Sequence, residues 1–262
     1  DRLVSDMEEK TDVMQRLALL TVVCRLNSDF ELDIPISDGS DFIEDAENRL
    51  RAAFDGRELM SYNIFEYFVL TQALGVPRGI TENEAAMWFE SFRCDDGAFG
   101  LLMSSTQGEP NGIMAAIRLS DDFGVPIDID YDALDSYFIS RQRSDGNYTS
   151  LDFFADCNFE ETFYAYGALE LLGADVSQNV KTLFSSVPAK EDLVGNTFYE
   201  SQYENGGDIV MDLMYCKYMD KTGVSADSAV SFLENTYETL EQTKEIRFVL
   251  PMPLGIVSSQ SS

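Results

Sequence analysis

The sequence predicts an all-α chain built from repeated helical hairpins. Three observations lead there. Gly75, Gly124, Gly173 and Gly223 each close a helix-like segment, at intervals of 49, 49 and 50 residues. The segment before each glycine carries apolar residues at helical spacing. The segment after each opens on a residue suited to cap a helix. Self-similarity at a fixed period is the mark of a repeat architecture, so it is read before any local element.

The closing sites read Leu74-Gly75-Val76, Phe123-Gly124-Val125, Leu172-Gly173-Ala174 and Thr222-Gly223-Val224. Glycine just past a helix enters the left-handed conformation without a Cβ penalty. The helix over 161–172 places Phe163, Tyr164, Tyr166, Leu169, Leu171 and Leu172 on more than one side. The helices over 112–123 and 209–219 do the same, with Met211 and Tyr215 in the latter. Helices apolar on several sides belong between layers. Each is followed by a more charged helix with one apolar stripe, near 81–93, 130–143, 177–187 and 226–242. Their starts carry Thr81 with Glu84 as a capping box, Asp130 or Asp132, Ser177 and Ser225. The beginning of the chain repeats the unit more faintly. Residues 11–26 form a buried-type helix ending near Asn27, and residues 41–54 a charged amphipathic one. The expectation is a single domain over 1–262. Its hairpins span about 11–59, 60–108, 109–157, 158–206 and 207–244, with a strap over 245–262.

Bulk properties agree and exclude several functions. The chain has 262 residues, 45% hydrophobic and 25% charged, which is ordinary globular usage. Asp and Glu number 47 against 18 Lys and Arg, a net charge of −29. Nucleic acid and anionic membranes require clustered cations, so neither is an expected partner. The acids are spread along the chain, which favours a solvated acidic surface over a dedicated cation site. Cys24, Cys94, Cys157 and Cys216 form no Cys-x-x-Cys pair. Free thiols, and a reducing compartment such as the cytoplasm, are the expectation. No run of about 18 apolar residues marks a membrane span. The chain begins at Asp1 rather than Met, which leaves room for a removed signal. The sequon Asn147-Tyr148-Thr149 carries little weight.

Two further loops sharpen the pattern. They read Arg93-Cys94-Asp95-Asp96-Gly97-Ala98-Phe99 and Gln142-Arg143-Ser144-Asp145-Gly146-Asn147-Tyr148, with Gly97 and Gly146 again 49 apart. The second fits Gln-x3-Gly-x-aromatic, and the first keeps all but the Gln. This resembles the repeat motif of the prenyltransferase and squalene (terpene) cyclase superfamily. Residues 137–173 resemble one repeat of a protein prenyltransferase β subunit, and the likeness extends over roughly 60–225. The resemblance implies an α/α toroid, or barrel. The helix after each glycine-rich loop is inner, the next outer, and ligands sit in the central cavity near one end of the inner helices.

Counting back from the repeat glycines locates that end. Fifteen residues back stand Met60, Glu109, Asn158 and Asp208; thirteen back stand Tyr62, Asn111, Glu160 and Val210; twelve back stand Asn63, Gly112, Glu161 and Met211. The rim carries neither Arg nor Lys. The family's transferases hold a prenyl diphosphate with cations and activate a thiol on zinc. A diphosphate needs compensating positive donors, and this chain contains no His. Asp156, Cys157 and Asp208 are legitimate zinc ligand types, but adjacent residues seldom both reach one ion. Acids complementing helix dipoles are the preferred reading there, and no cofactor is expected. Asp156, Glu160, Glu161 and Asp208 stand as weak catalytic candidates. Asp128-Ile129-Asp130-Tyr131-Asp132 departs from the cyclases' Asp-x-Asp-Asp spacing and reads as a cap cluster. Arg118 and Lys217 share one repeat position and read as partners of nearby acids. Glu109, Asn111, Tyr164, Tyr166, Met211 and Tyr215 are the cavity-lining candidates.

Three functional readings follow. The first is a non-catalytic toroid that takes an apolar small molecule or a protein partner. The second is a divergent isoprenoid enzyme, a terpene cyclase or prenyltransferase-like protein with a non-standard site. The third is a carbohydrate-active α/α barrel, which would need two carboxylates converging across the cavity. Fold resemblance alone selects none of them.

Overall fold

The computed structural model describes residues 40–148 and 159–186, together with helical positions between residues 13 and 24. Seven α-helices and one 3-10 turn, and no strand, occur among the described residues. They are α1 Ser40–Asp55, α2 Ser61–Leu74, α3 Glu82–Phe89, α4 Pro110–Phe123, α5 Tyr131–Arg141, α6 Phe159–Leu171 and α7 Ser177–Ser186. The 3-10 turn, Glu90–Phe92, prolongs α3. The fifth hairpin of the sequence reading (207–244) and the strap over 245–262 lie outside the described residues.

Helices α2, α4 and α6 form one layer, with α4 packed against both of the others. Their sequences explain why they are buried. From Asn63 to Phe68 every residue of α2 is buried. From Gly112 to Ile117 the same holds for α4. Small residues bring the backbones close. Ala115 and Ala116 on α4, and Ala165 and Ala168 on α6, are all fully buried. The alternate helices bury one stripe only: Ala85, Trp88 and Phe89 in α3, and Leu134, Tyr137 and Phe138 in α5. Burying one such large side chain stabilises the fold by about 1.5–3 kcal/mol.

The local geometry recurs every 49 residues. Gly75, Gly124 and Gly173 take φ of 64°, 67° and 82° at the ends of α2, α4 and α6. Gly97 and Gly146 take 80° and 89° in the loops. In the first loop the Cys94 amide donates to Ala98 O at 2.9 Å, and the Gly97 amide to Cys94 O at 3.0 Å. In the second, the Arg143 amide donates to Asn147 O at 2.9 Å, and the Gly146 amide to Arg143 O at 3.1 Å. Asp96 Oδ1 accepts from the Ala98 amide, and Asp145 Oδ1 from the Asn147 amide, both at 3.1 Å. Each loop's aromatic residue packs edge-on against the preceding helix: Phe99 on Phe89 at 5.5 Å, Tyr148 on Phe138 at 6.1 Å. Asn147 is only 4% exposed, so the sequon's acceptor is inaccessible in the folded chain.

The helix starts correct two sequence expectations. Thr81 Oγ1 accepts from the Glu84 amide at 3.2 Å, but the reciprocal half of a capping box is not formed. Arg51 of α1 engages the Glu84 carboxylate instead, drawing it out of local capping. Asp130 rather than Asp132 caps α5, accepting from the Ala133 amide at 3.0 Å. At α7 the acceptor is Asp175, which takes the Ser177 amide at 2.9 Å. Those bonds to Ser177, backbone and side chain, hold the Asp175 carboxyl below the usual carboxylate range.

Candidate ligand-binding face

Burial along the layer of α2, α4 and α6 is interrupted on one stripe. In α2 the half-buried positions among buried ones are Tyr62 and Val69; in α4 they are Asn111 and Arg118; in the middle of α6 it is Gly167. These positions are seven apart on a helix, two turns along one face. They are also 49 apart between helices. Glu66, Ala115 and Tyr164 share the repeat position between them, four residues after Tyr62 and Asn111.

The stripe lies on the concave side of the layer. Neighbouring helix axes stand about 8–10 Å apart, so in a flat layer the two flanking helices would be separated by roughly twice that. Yet the rings of Tyr62 on α2 and Tyr164 on α6 meet edge to face, with centroids 5.9 Å apart, although α4 lies between the two helices. The layer therefore curls toward this stripe. Tyr62 also packs on Phe65 at 5.3 Å, and the Arg118 guanidinium stands 5.8 Å from the Phe65 ring. Arg118 Nε meets Asp122 Oδ2 at 2.5 Å, one helical turn on, as the sequence reading held.

The N-terminal end of α2 and α4 is tied down by the loop that precedes α4. Glu109 Oε2 accepts from the Leu101 amide and from Ser105 Oγ, both at 2.7 Å. Leu101 O accepts from the Ser61 amide, and Gly100 O from Ser61 Oγ, each at 2.9 Å. A Cβ on Gly112 would lie 2.5 Å from Gly100 O, so only glycine lets α4 approach this loop. On the other side of the loop Asp96 Oδ2 accepts from the Gly108 amide at 2.9 Å, and Tyr137 donates to Gly108 O at 2.9 Å.

Against this geometry the site residues anticipated from sequence separate into groups. Tyr164 stands on the concave face against Tyr62. Asn111 occupies the same stripe, its Oδ1 accepting from the Gly112 amide at 3.0 Å. The Glu109 carboxylate anchors the loop. Tyr166 is fully buried and donates to Gly146 O at 2.8 Å, which fixes the second glycine loop. Glu160 and Glu161 lie in the first turn of α6. Glu161, half-buried, joins burial itself in raising the pKa of Tyr137. Asp156, Cys157, Asp208, Met211 and Tyr215 lie outside the described residues. Among the described residues no three of His, Cys, Asp and Glu gather as a metal site would require.

Glu66 is the residue that sequence reasoning passed over. It is an acid inside an otherwise apolar run, Ile64-Phe65-Glu66-Tyr67-Phe68, and only 6% exposed. Its Oε2 accepts from Asn63 Nδ2 at 2.9 Å, and its backbone carbonyl accepts from Thr21 Oγ1 at 3.1 Å. Burial pushes its carboxyl up to about 7, against the opposing effect of the Asn63 hydrogen bond. A carboxyl titrating near neutrality is unusual and concentrates at functional positions. The signal in the sequence is its place: it stands two repeats before Tyr164.

The thiols are of another kind. Cys24 and Cys94 are buried and free. Burial pushes Cys24 to about 11. Burial, with Asp96 and Glu109 adding to it, pushes Cys94 to about 12. Neither is a nucleophile at neutral pH.

No helix among the described residues is long and apolar enough to cross a membrane. No family model, curated protein or solved structure matches this chain.

Proposed function

We propose that this chain is a prenyltransferase-like α/α-toroid domain that holds an apolar ligand in the concavity of its inner helices and does not catalyse its turnover. The observation that carries the reading is the meeting of Tyr62 and Tyr164 across α4. A layer curled this tightly over three helices is on course to close with two or three more. The concave stripe it encloses presents Tyr62, Val69, Asn111, Arg118 and Gly167, with Tyr164 set against Tyr62: aromatic and apolar surface beside a few placed polar groups. That is the general composition of a small-molecule site. The recurrence of two left-handed glycines per 49 residues supports the same ring, because each repeat then turns through a similar angle.

The non-catalytic part of the reading rests on the sequence. With no His anywhere in the chain, the family's usual diphosphate and thiol chemistry would need other residues. The Glu109 carboxylate, on the rim where the family's chemistry takes place, is already bound to Leu101 and Ser105.

The test is a titration with N-phenyl-1-naphthylamine, a weakly basic apolar dye that is uncharged at neutral pH, beside a turnover assay with polyprenyl diphosphates and zinc. Saturable binding near one dye per chain, lost in Tyr164→Asp, is the expected result, with no turnover. Absence of saturable binding would remove the ligand site. Turnover lost on replacing Asp156 or Asp208 would replace this reading with the enzymatic one.

A further inference from the structure

The concave face has one polar feature that its apolar character does not explain. Glu66 stands at the repeat position of Tyr164, and Tyr164 is on the concave side because it touches Tyr62. Tyr62 lies four residues before Glu66, one turn back on the same face. Helical side chains lean toward the N-terminus, so the Glu66 carboxyl reaches back over Tyr62 and Asn63. The Asn63 hydrogen bond shows that it reaches back as far as Asn63.

The carboxyl is incompletely used. Oε2 takes the Asn63 amide, whose own Oδ1 already accepts from the Met60 amide at 3.3 Å. Oε1 accepts nothing among the described residues. Among the described residues no Lys or Arg acts on its ionisation. Arg118, on the neighbouring helix, is paired with Asp122. A buried carboxylate without a cation is costly, and a group of opposite charge brought beside it relieves much of that cost. The Tyr62 ring, one turn back, is aromatic surface of a kind that attracts a cation, and Tyr164 packs against it. The overall charge of −29 draws cations toward the molecule.

We propose that Glu66 is the polar anchor of the concave face, and that the ligand is an apolar molecule bearing one protonated amine. The amine donates to Glu66 Oε1 beside the Tyr62 ring, which Tyr164 meets edge to face, and the apolar body runs along the half-buried stripe past Val69. This rests on the concave face being the ligand site, and it names the chemistry that face selects.

Octylamine, octanol and octanoate separate the contributions of head and tail. Each is titrated by calorimetry at about pH 8, in salt of about 0.5 M so that diffuse attraction to the acidic surface is screened. The proteins are the wild type, Glu66→Gln and Asp121→Asn, the last removing an exposed charge from a helix end. The expected result is octylamine binding to the wild type and to Asp121→Asn alike, weakened at least about tenfold in Glu66→Gln. Octanol should bind weakly and equally to all three, and octanoate less than octanol. Equal octylamine affinity for wild type and Glu66→Gln overturns the proposal. If octanol or the naphthylamine dye still binds in that case, the apolar site stands and only the anchor falls. If none binds, both fall.

Discussion

Replacing Glu66 by glutamine should stabilise the fold, and only where the carboxyl would be charged. Gln keeps the shape and still accepts the Asn63 hydrogen bond. The magnitude follows from proton affinity. The carboxyl titrates at 4.5 in ordinary surroundings and near 7 in the fold. Below 4.5 both folded and unfolded chains carry the proton, and Glu66 contributes no pH dependence. Between 4.5 and 7 the unfolded chain has released its proton while the folded chain keeps it, so stability falls as pH rises. Above 7 both are ionised and the fold bears the full cost. Each tenfold difference in proton affinity is worth about 1.4 kcal/mol, giving a cost of about 3 kcal/mol. For a chain of this size that corresponds to a Tm difference of roughly 6–12 °C. Thermal unfolding of wild type and Glu66→Gln, followed by far-ultraviolet circular dichroism from about pH 4.5 to 8.5, reads it directly. The difference between the two proteins should be near zero at the acid end and grow to its full value by about pH 8. A difference independent of pH, or none at pH 8, would refute the burial argument. The self-repulsion of a highly acidic chain is common to both proteins and cancels in the comparison.

Three other outcomes follow from the described geometry. Gly124→Ala should cost about 1–2 kcal/mol, the left-handed penalty alone, because a Cβ there meets nothing within 4 Å. Gly146→Ala should cost clearly more, because its Cβ would lie 2.5 Å from Asn179 O and 2.8 Å from Leu183 N; denaturant titration of both variants checks the order, and equal costs would contradict it. Asp96→Ala removes the acceptor of two amides, Ala98 and Gly108, and should destabilise by about 2–3 kcal/mol in the same assay. Cys24 and Cys94 should resist a thiol reagent such as dithionitrobenzoate in the native protein and react only as fast as the chain opens, because both thiols are buried and protonated.

Much of the local fold was legible in the sequence because it rests on features that need no partner. Gly75, Gly124 and Gly173 were readable as helix ends because the left-handed conformation excludes other residues locally. Gly97 and Gly146 were readable for the same reason, helped by the aspartate before each. The second half of the capping box at Thr81 was not legible, because Arg51 reaches Glu84 from a helix thirty-three residues earlier. Local pattern cannot see such a competitor. The rim counted back from the glycines fell on Glu109, whose carboxylate the loop had claimed. Tyr166 looked like a lining residue because it is aromatic at helical spacing, yet its hydroxyl fixes Gly146. Glu66 was hidden by its surroundings. An acid in an apolar run reads as an interruption until the repeat is laid over it and Tyr164 identifies which way it faces.

The central claim is that the layer of α2, α4 and α6 curls so that α2 and α6 face each other across α4. A double-mutant cycle on Tyr62→Ala and Tyr164→Ala, read by denaturant unfolding, tests it most directly. Rings meeting edge to face should couple by about 0.5–1.5 kcal/mol beyond their separate losses. Additive losses, within roughly 0.3 kcal/mol, would mean that the two rings do not meet, and that the layer does not close on the face described here.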